Sequence, residues 1–157
     1  MLLNRLLQEF EISVWGDGVK KGEGFDRLES IVQKPLFGRD LCAVFQQSQV
    51  VINQHARMFS SKERAKEKYA NNMRLFEATG CGALLMTDEK ENLSDFFEDG
   101  KEIVSYKNIE DLIEKLSYYR EYPEKAREIA VAGQKRIFKE HTYYHRMQEL
   151  QDILIRQ

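Results

Sequence analysis

An α/β fold built on a doubly wound parallel sheet is the class this sequence predicts, and three observations carry it. Short apolar runs alternate with helical patterns up to Tyr106. Runs such as Val50-Val51-Ile52 and Ala83-Leu84-Leu85-Met86 do not alternate with polar residues, as expected of strands covered on both faces by helices. Beyond Tyr106 the pattern is purely helical. Strands and helices are therefore interleaved first, and a helical segment closes the chain.

Four runs read as strands. "EISVW" (11–15) ends in Gly16-Asp17-Gly18, and "QVVIN" (49–53) follows the helical "RDLCAVFQQS". "ALLMT" (83–87) follows a helix expected over residues 71–80, and "EIVSY" (102–106) follows "NLSDFFEDG". A further short strand is read near Ile31-Val32. Asn108 is a suitable N-cap with Asp111 at the third helical position, and Ile109, Leu112, Ile113, Leu116 and Tyr119 then share one stripe. Pro123 opens the next helix, with Ala126, Ile129, Ala130 and Ile137 on one face. Thr142 caps a last helix carrying Tyr143, Met147, Leu150 and Leu154, which is expected to run along the edge of the sheet.

The bulk properties suit one domain, residues 1–157. A chain of 157 residues can bury roughly 70% of the surface its unfolded form exposes. With 42% hydrophobic and 32% charged residues, the composition is that of an ordinary globular protein. A net charge of −2 gives no excess of cations to neutralise phosphates, so nucleic acid is not expected as a partner. Asn4, Arg5, Gln8 and Glu9 interrupt the first apolar stretch, which excludes a signal peptide or a spanning helix there. Cys42 and Cys81 without an export signal point to free thiols in a reducing cytoplasm.

Ligands of open α/β sheets bind beyond the carboxyl ends of the strands. Those ends carry Gly16 and Asp17, then Asn53 and His55, then Thr87 and Asp88. The helix over 71–80 enters the same region, with Asn71, Asn72 and Arg74 expected in its first turn and Glu77 one turn on. A helix N-terminus favours an anion, an arginine adds a two-pronged phosphate contact, and a carboxylate can accept from a vicinal diol. A nucleotide fits that pattern, with its diphosphate on the helix start and its ribose on Glu77. Gly80 and Gly82 would allow a tight turn into the strand. On spacing alone, a solvated helix acid with an arginine neighbour and a glycine stop explains the same residues equally well.

The longer pattern "NNMRLFEATGCGALLMTD…FEDGKEIVSY…REYPEKAREIAVAGQKRIFKEHTYYHRM" resembles the C-terminal domain of the CgeB-like, spore-maturation-type glycosyltransferases of the GT-B fold group. The family pattern is met in order at Asn72, Arg74, Phe76-Glu77, Cys81-Gly82-Ala83, Thr87-Asp88, Phe97 to Ile103, and His141 to Arg146. It covers residues 70–150 closely and 11–55 more loosely, through "VWGDG" and "VVINQH". The resemblance implies the Rossmann-like C-terminal half of a GT-B enzyme of hexosyltransferase type. That half binds a nucleotide-diphosphate sugar without an obligatory metal or other cofactor. The acid at the position of Glu77 holds the ribose hydroxyls in related retaining enzymes, and the active site is the cleft against a separate N-terminal acceptor domain.

Two departures follow. Many relatives carry a second acid eight residues before Glu77, where this chain has Tyr69, so sugar recognition by that route is not expected. The strand and glycine loop that open the domain in relatives, and the acceptor domain itself, have no counterpart before "LLNRLLQEF". The chain therefore reads as a fragment of a two-domain enzyme, inactive alone. It is expected to self-associate through its unfilled strand position and its last helix.

Other motifs are weaker. Gly16, Gly18 and Gly22 miss the G-x-G-x-x-G spacing by one, and a turn explains "GDGVKKGEG" better than a phosphate loop. His141 and His145 are four apart like metal ligands, but Thr142 between them and the lack of a third ligand argue against a metal. Cys81 lacks an assigned base and reads as a small buried residue, and "SSKERAKEKY" as a solvated helix or loop. A non-catalytic interaction module on the same fold is the competing function. A phosphoacceptor receiver domain would need an acidic pair after the first strand and a late Lys-Pro, which are absent.

Overall fold

The computed structural model describes residues 2–16, 31–55, 68–70 and 72–156. The chain divides into two compact units, residues 1–42 and 43–157, with parallel strands in both. In the first unit a short helix, α1 (Leu2–Leu6), precedes β1 (Val14–Trp15), which pairs in parallel with β2 (Val32–Gln33). Both strands are shorter than the apolar runs suggest. The Gly16 N–H extends the pairing by donating to the Gln33 carbonyl at 3.1 Å. Asp17 and Gly18 lie outside the described residues, as do residues 60–67 of the mixed-charge stretch. The helix α2 (Gly38–Gln47) spans the boundary between the units.

The second unit holds a three-stranded parallel sheet in the order β3 (Val50–Asn53), β4 (Leu84–Asp88), β5 (Val104–Tyr106). Its register aligns Val50 with Leu84, Asn53 with Thr87, and Thr87 with Ser105. Leu84, Leu85, Met86, Val104 and Tyr106 are all buried, which is why these runs show no polar alternation. This is the expected α/β, Rossmann-like architecture with a helical C-terminal segment.

The helix α3 (Arg74–Gly80) returns the chain from β3 to β4 and buries Leu75, Ala78 and Thr79. It starts later than the sequence suggests, and has no side-chain cap. At its other end Ala83 N–H donates to Ala78 O at 3.2 Å and Gly82 N–H to Thr79 O at 3.0 Å. That pair of bonds needs a left-handed residue after the cap, and Gly82, at φ 85°, supplies it. Gly80 is helical and serves packing instead.

Three further helices follow: α4 (Ile109–Glu121), α5 (Pro123–Glu140) and α6 (Tyr143–Ile155). Asn108 caps α4 by accepting from the Asp111 N–H at 2.9 Å. Leu112 and Leu116 of α4, and Ala126, Ile129, Ala130 and Ile137 of α5, are buried as the stripes require. α6 buries none of its residues. Phe76 of α3 packs against Phe96, Phe97 and His141. His141 also lies within 3.0 Å of the Phe96 carbonyl through Nε2, and within 2.7 Å of Arg146 Nη2 through Nδ1. His145 instead accepts from the Thr142 N–H at 3.2 Å. Among the described residues no helix is long and apolar enough to cross a membrane.

Candidate functional site

The carboxyl ends of β3 and β4 gather three of the buried polar residues of the second unit, Asn53, His55 and Thr87. Asn53 closes β3 and is 5% exposed. Its Nδ2 donates to Thr87 Oγ1 at 2.9 Å, its Oδ1 accepts from Asn72 Nδ2 at 3.0 Å, and its backbone carbonyl accepts from the Tyr106 hydroxyl at 2.8 Å. All three bonds act on a residue that cannot reach water, so each meets a need that burial creates.

His55, two residues on, is 6% exposed. Its backbone N–H donates to Asp88 Oδ1 at 2.9 Å, and its ring Nδ1 lies 2.6 Å from the same oxygen. Lys90 Nζ sits 3.0 Å from Asp88 Oδ2. Burial alone would raise the Asp88 carboxyl. The side-chain and backbone bonds from His55, and then Lys90, outweigh it and hold the group at about 2. Tyr106 is pushed well above the usual phenol range, first by burial and then by the Asp88 charge, so it stays a neutral donor. Two buried polar atoms of this network, His55 Nε2 and Asn72 Oδ1, have no partner among the described residues. An orphaned buried group costs about 1–3 kcal/mol, so each calls for a reason.

The start of α3 adds a charged pair. Arg74 Nη1 lies 3.3 Å from Glu77 Oε2, with the two side chains 39% and 43% exposed. The Arg74 guanidinium also sits 5.2 Å over the Phe45 ring. The Glu77 carboxylate falls in the first turn of α3. A shallow hollow of about 450 Å³ is lined by Lys68, Glu89, Lys90 and Glu91, so it shares Lys90 with the network. Another, of about 350 Å³, is lined by residues that include Phe97, Asp99 and Arg136, none of which belongs to the network.

Residues 1–152 match the family model described as glycosyl transferase-like. The chain belongs to the glycosyl transferase-like family. A search of the curated proteins finds no match.

In this glycosyl transferase-like chain the structure brings Asn53, His55 and Asn72 into one network, and sets Arg74 against Glu77. Gly16 belongs to the other unit, and Asp17 lies outside the described residues. One expectation is corrected. Asn72 precedes α3 rather than standing in its first turn, because its amide is committed to Asn53. Among the described residues no group of three His, Cys, Asp or Glu could hold a metal ion. Sequence reasoning placed Thr87 and Asp88 at a strand end without a role, and overlooked Lys90 and Tyr106. The signal for Asp88 was an acid closing an apolar run. Nothing local marked Tyr106, whose partner is 53 residues away.

Proposed function

We propose that this chain is the donor-binding domain, residues 1–157, of a CgeB-like glycosyltransferase with the GT-B fold, acting in the cytoplasm on a nucleotide-diphosphate sugar. Glu77 accepts the ribose hydroxyls. Arg74 supplies positive charge to the diphosphate, whose departure fixed donors and cations assist without an obligatory metal. Asn53, Asn72 and His55 line the site from the strand ends. Tyr69 is 57% exposed and offers the sugar no carboxylate. Transfer to an acceptor requires the second, N-terminal domain of such enzymes.

The observation that carries this reading is Glu77: a half-exposed carboxylate beside the Arg74 guanidinium, at the start of a helix leading into the central strand of the sheet. A hydrogen bond to a charged group is worth about 1.5–3 kcal/mol, so Glu77→Gln should weaken nucleoside diphosphate binding about 10- to 150-fold. A 2′,3′-dideoxy nucleotide should bind both forms alike. Nucleoside diphosphate should also protect amides 72–82 from hydrogen exchange. Flat exchange at millimolar nucleotide would favour a non-catalytic module that keeps the fold.

A further inference from the structure

The turn between α5 and α6 is built on an imidazole whose protonation state its neighbours dictate. His141 is half-buried, with its ring against Phe76 of α3 and against Phe96 and Phe97. Nε2 stands 3.0 Å from the Phe96 carbonyl oxygen, and Nδ1 stands 2.7 Å from Arg146 Nη2. A carbonyl oxygen can only accept, and a guanidinium nitrogen can only donate. Nε2 must therefore carry the hydrogen, and Nδ1 must present its lone pair. Each end of the ring gives the same answer independently: His141 is neutral in this arrangement. A second proton has one place to go, on Nδ1, where it would point at an Arg146 N–H across 2.7 Å.

Burial resists that proton first, and then Arg146 of α6 and Arg136 of α5. The Phe96 carbonyl and Glu140 of α5 favour it, and the balance holds the ring below the usual 6.5. Arg136 Nε donates to the same Phe96 carbonyl at 3.3 Å. Glu140 is engaged by Arg136 at 3.0 Å and by Lys139 at 2.8 Å, and Glu149 by Arg146 Nη1 at 2.6 Å. The other titratable group of the junction, His145, accepts at Nδ1 from the Thr142 N–H at 3.2 Å. α6 buries none of its residues. Among the described residues, its side-chain hydrogen bonds to groups outside the helix run to His141 and Thr142. The polar hold on α6 is thus concentrated at this turn.

We propose that His141 is an acid-opened latch on α6: neutral, it ties Arg146 and fixes the direction in which α6 leaves α5, and protonated, it expels Arg146 and frees the helix. Histidine is the side chain whose charge changes in this pH range. His141 is a positioning residue, acting through Arg146. What it positions is the exposed apolar stripe of Met147, Leu150 and Leu154, which points one way while the latch is closed. The inference stands apart from the donor-binding reading.

Residual dipolar couplings of backbone amides report the direction of α6 against α5 in the unaltered chain, at a dilution where light scattering shows a monomer. The titration runs from pH 7.5 down to the point at which nitrogen-15 NMR shows the His141 ring charged. At pH 7.5 the ring should carry its hydrogen on Nε2, and both helices should fit one alignment. As the ring charges, the α6 couplings should collapse towards zero while those of α5 hold. His145→Gln keeps the reciprocal cap with a side chain that does not titrate, and should show the same loss. Arg146→Met removes the donor and keeps the length, and should leave α6 unaligned at pH 7.5 with no further change in acid.

Full alignment of α6 beside a charged His141 ring overturns the proposal, as does a ring hydrogen on Nδ1 at pH 7.5. An Arg146→Met chain with α6 still aligned removes the tether. An acid transition that His145→Gln abolishes assigns the effect to the cap instead of the latch. Collapse of the α5 couplings together with those of α6 marks general unfolding, and defeats the proposal equally.

Discussion

Replacing Gly133 by alanine should destabilise the fold, although alanine is the better helix former. Gly133 lies inside α5 and is buried. A Cβ there would stand 2.2 Å from the Glu102 carbonyl oxygen and 2.7 Å from Thr79 Cγ2. The nearer obstacle is backbone, so α5 or the strand approach must retreat by about 1 Å to reach ordinary contact distance. Overpacking costs about 1–3 kcal/mol, and an unyielding backbone puts this case near 3. Removing a helical glycine returns about 1 kcal/mol. The net loss is about 2 kcal/mol, or about 4–8 °C in Tm for a chain of this size. Gly80→Ala is the matched control, because its Cβ would meet only a side-chain methyl, Cγ2 of Ile137, at 3.3 Å and no backbone. Thermal unfolding followed by circular dichroism should leave Gly80→Ala near the parent and lower Gly133→Ala. A Gly133→Ala variant as stable as the parent would refute the close seating of α5 on the Glu102 carbonyl.

Acid should remove what Asp88 contributes. Its carboxyl sits at about 2 against an ordinary 3.8, so its stabilisation is complete above about 3.8 and is lost as pH falls through 2. That is about 2 kcal/mol at 1.36 kcal/mol per unit, and urea titrations from pH 5 to 2 should show it missing in Asp88→Asn. His141 is held below its usual 6.5, first by burial. Its share of stability should therefore be complete above pH 6.5 and decline below it, with a flatter profile in His141→Gln. Tyr106→Phe removes the donor to the Asn53 carbonyl and should cost about 1–2 kcal/mol in urea denaturation. Light scattering at high micromolar concentration should detect self-association through the exposed Met147, Leu150, Ile153 and Leu154 of α6; a clean monomer would argue against it.

The sheet was legible because its strands are buried on both faces, and continuous apolar runs announce that condition directly. Val50 to Asn53 and Leu84 to Asp88 sit within a residue of the runs that predicted them. The start of α3 was less legible. Asn71, Asn72 and Arg74 read alike as first-turn residues, whereas the helix starts at Arg74 and the Asn72 side chain bonds to Asn53, 19 residues away. The candidate site divides the same way. Asn53 and His55 follow from their place after a strand, whereas the pairing of His55 with Asp88 joins segments 33 residues apart, and no local pattern encodes it.

The alignment of Asn53, Thr87 and Ser105 across the three strands bears on how the chain avoids misfolding. Val50 to Ile52 and Leu84 to Met86 are so uniformly apolar that sliding one strand along the other would exchange one greasy contact for another. Strands without alternation specify their pairing weakly. The polar row supplies the missing discrimination. A slip of two residues would set Thr87 against Val51 and strip Asn53 of its partner, stranding buried amide and hydroxyl groups at about 1–3 kcal/mol each. The row works as a key cut into an otherwise featureless blade, and the sheet closes in only one alignment.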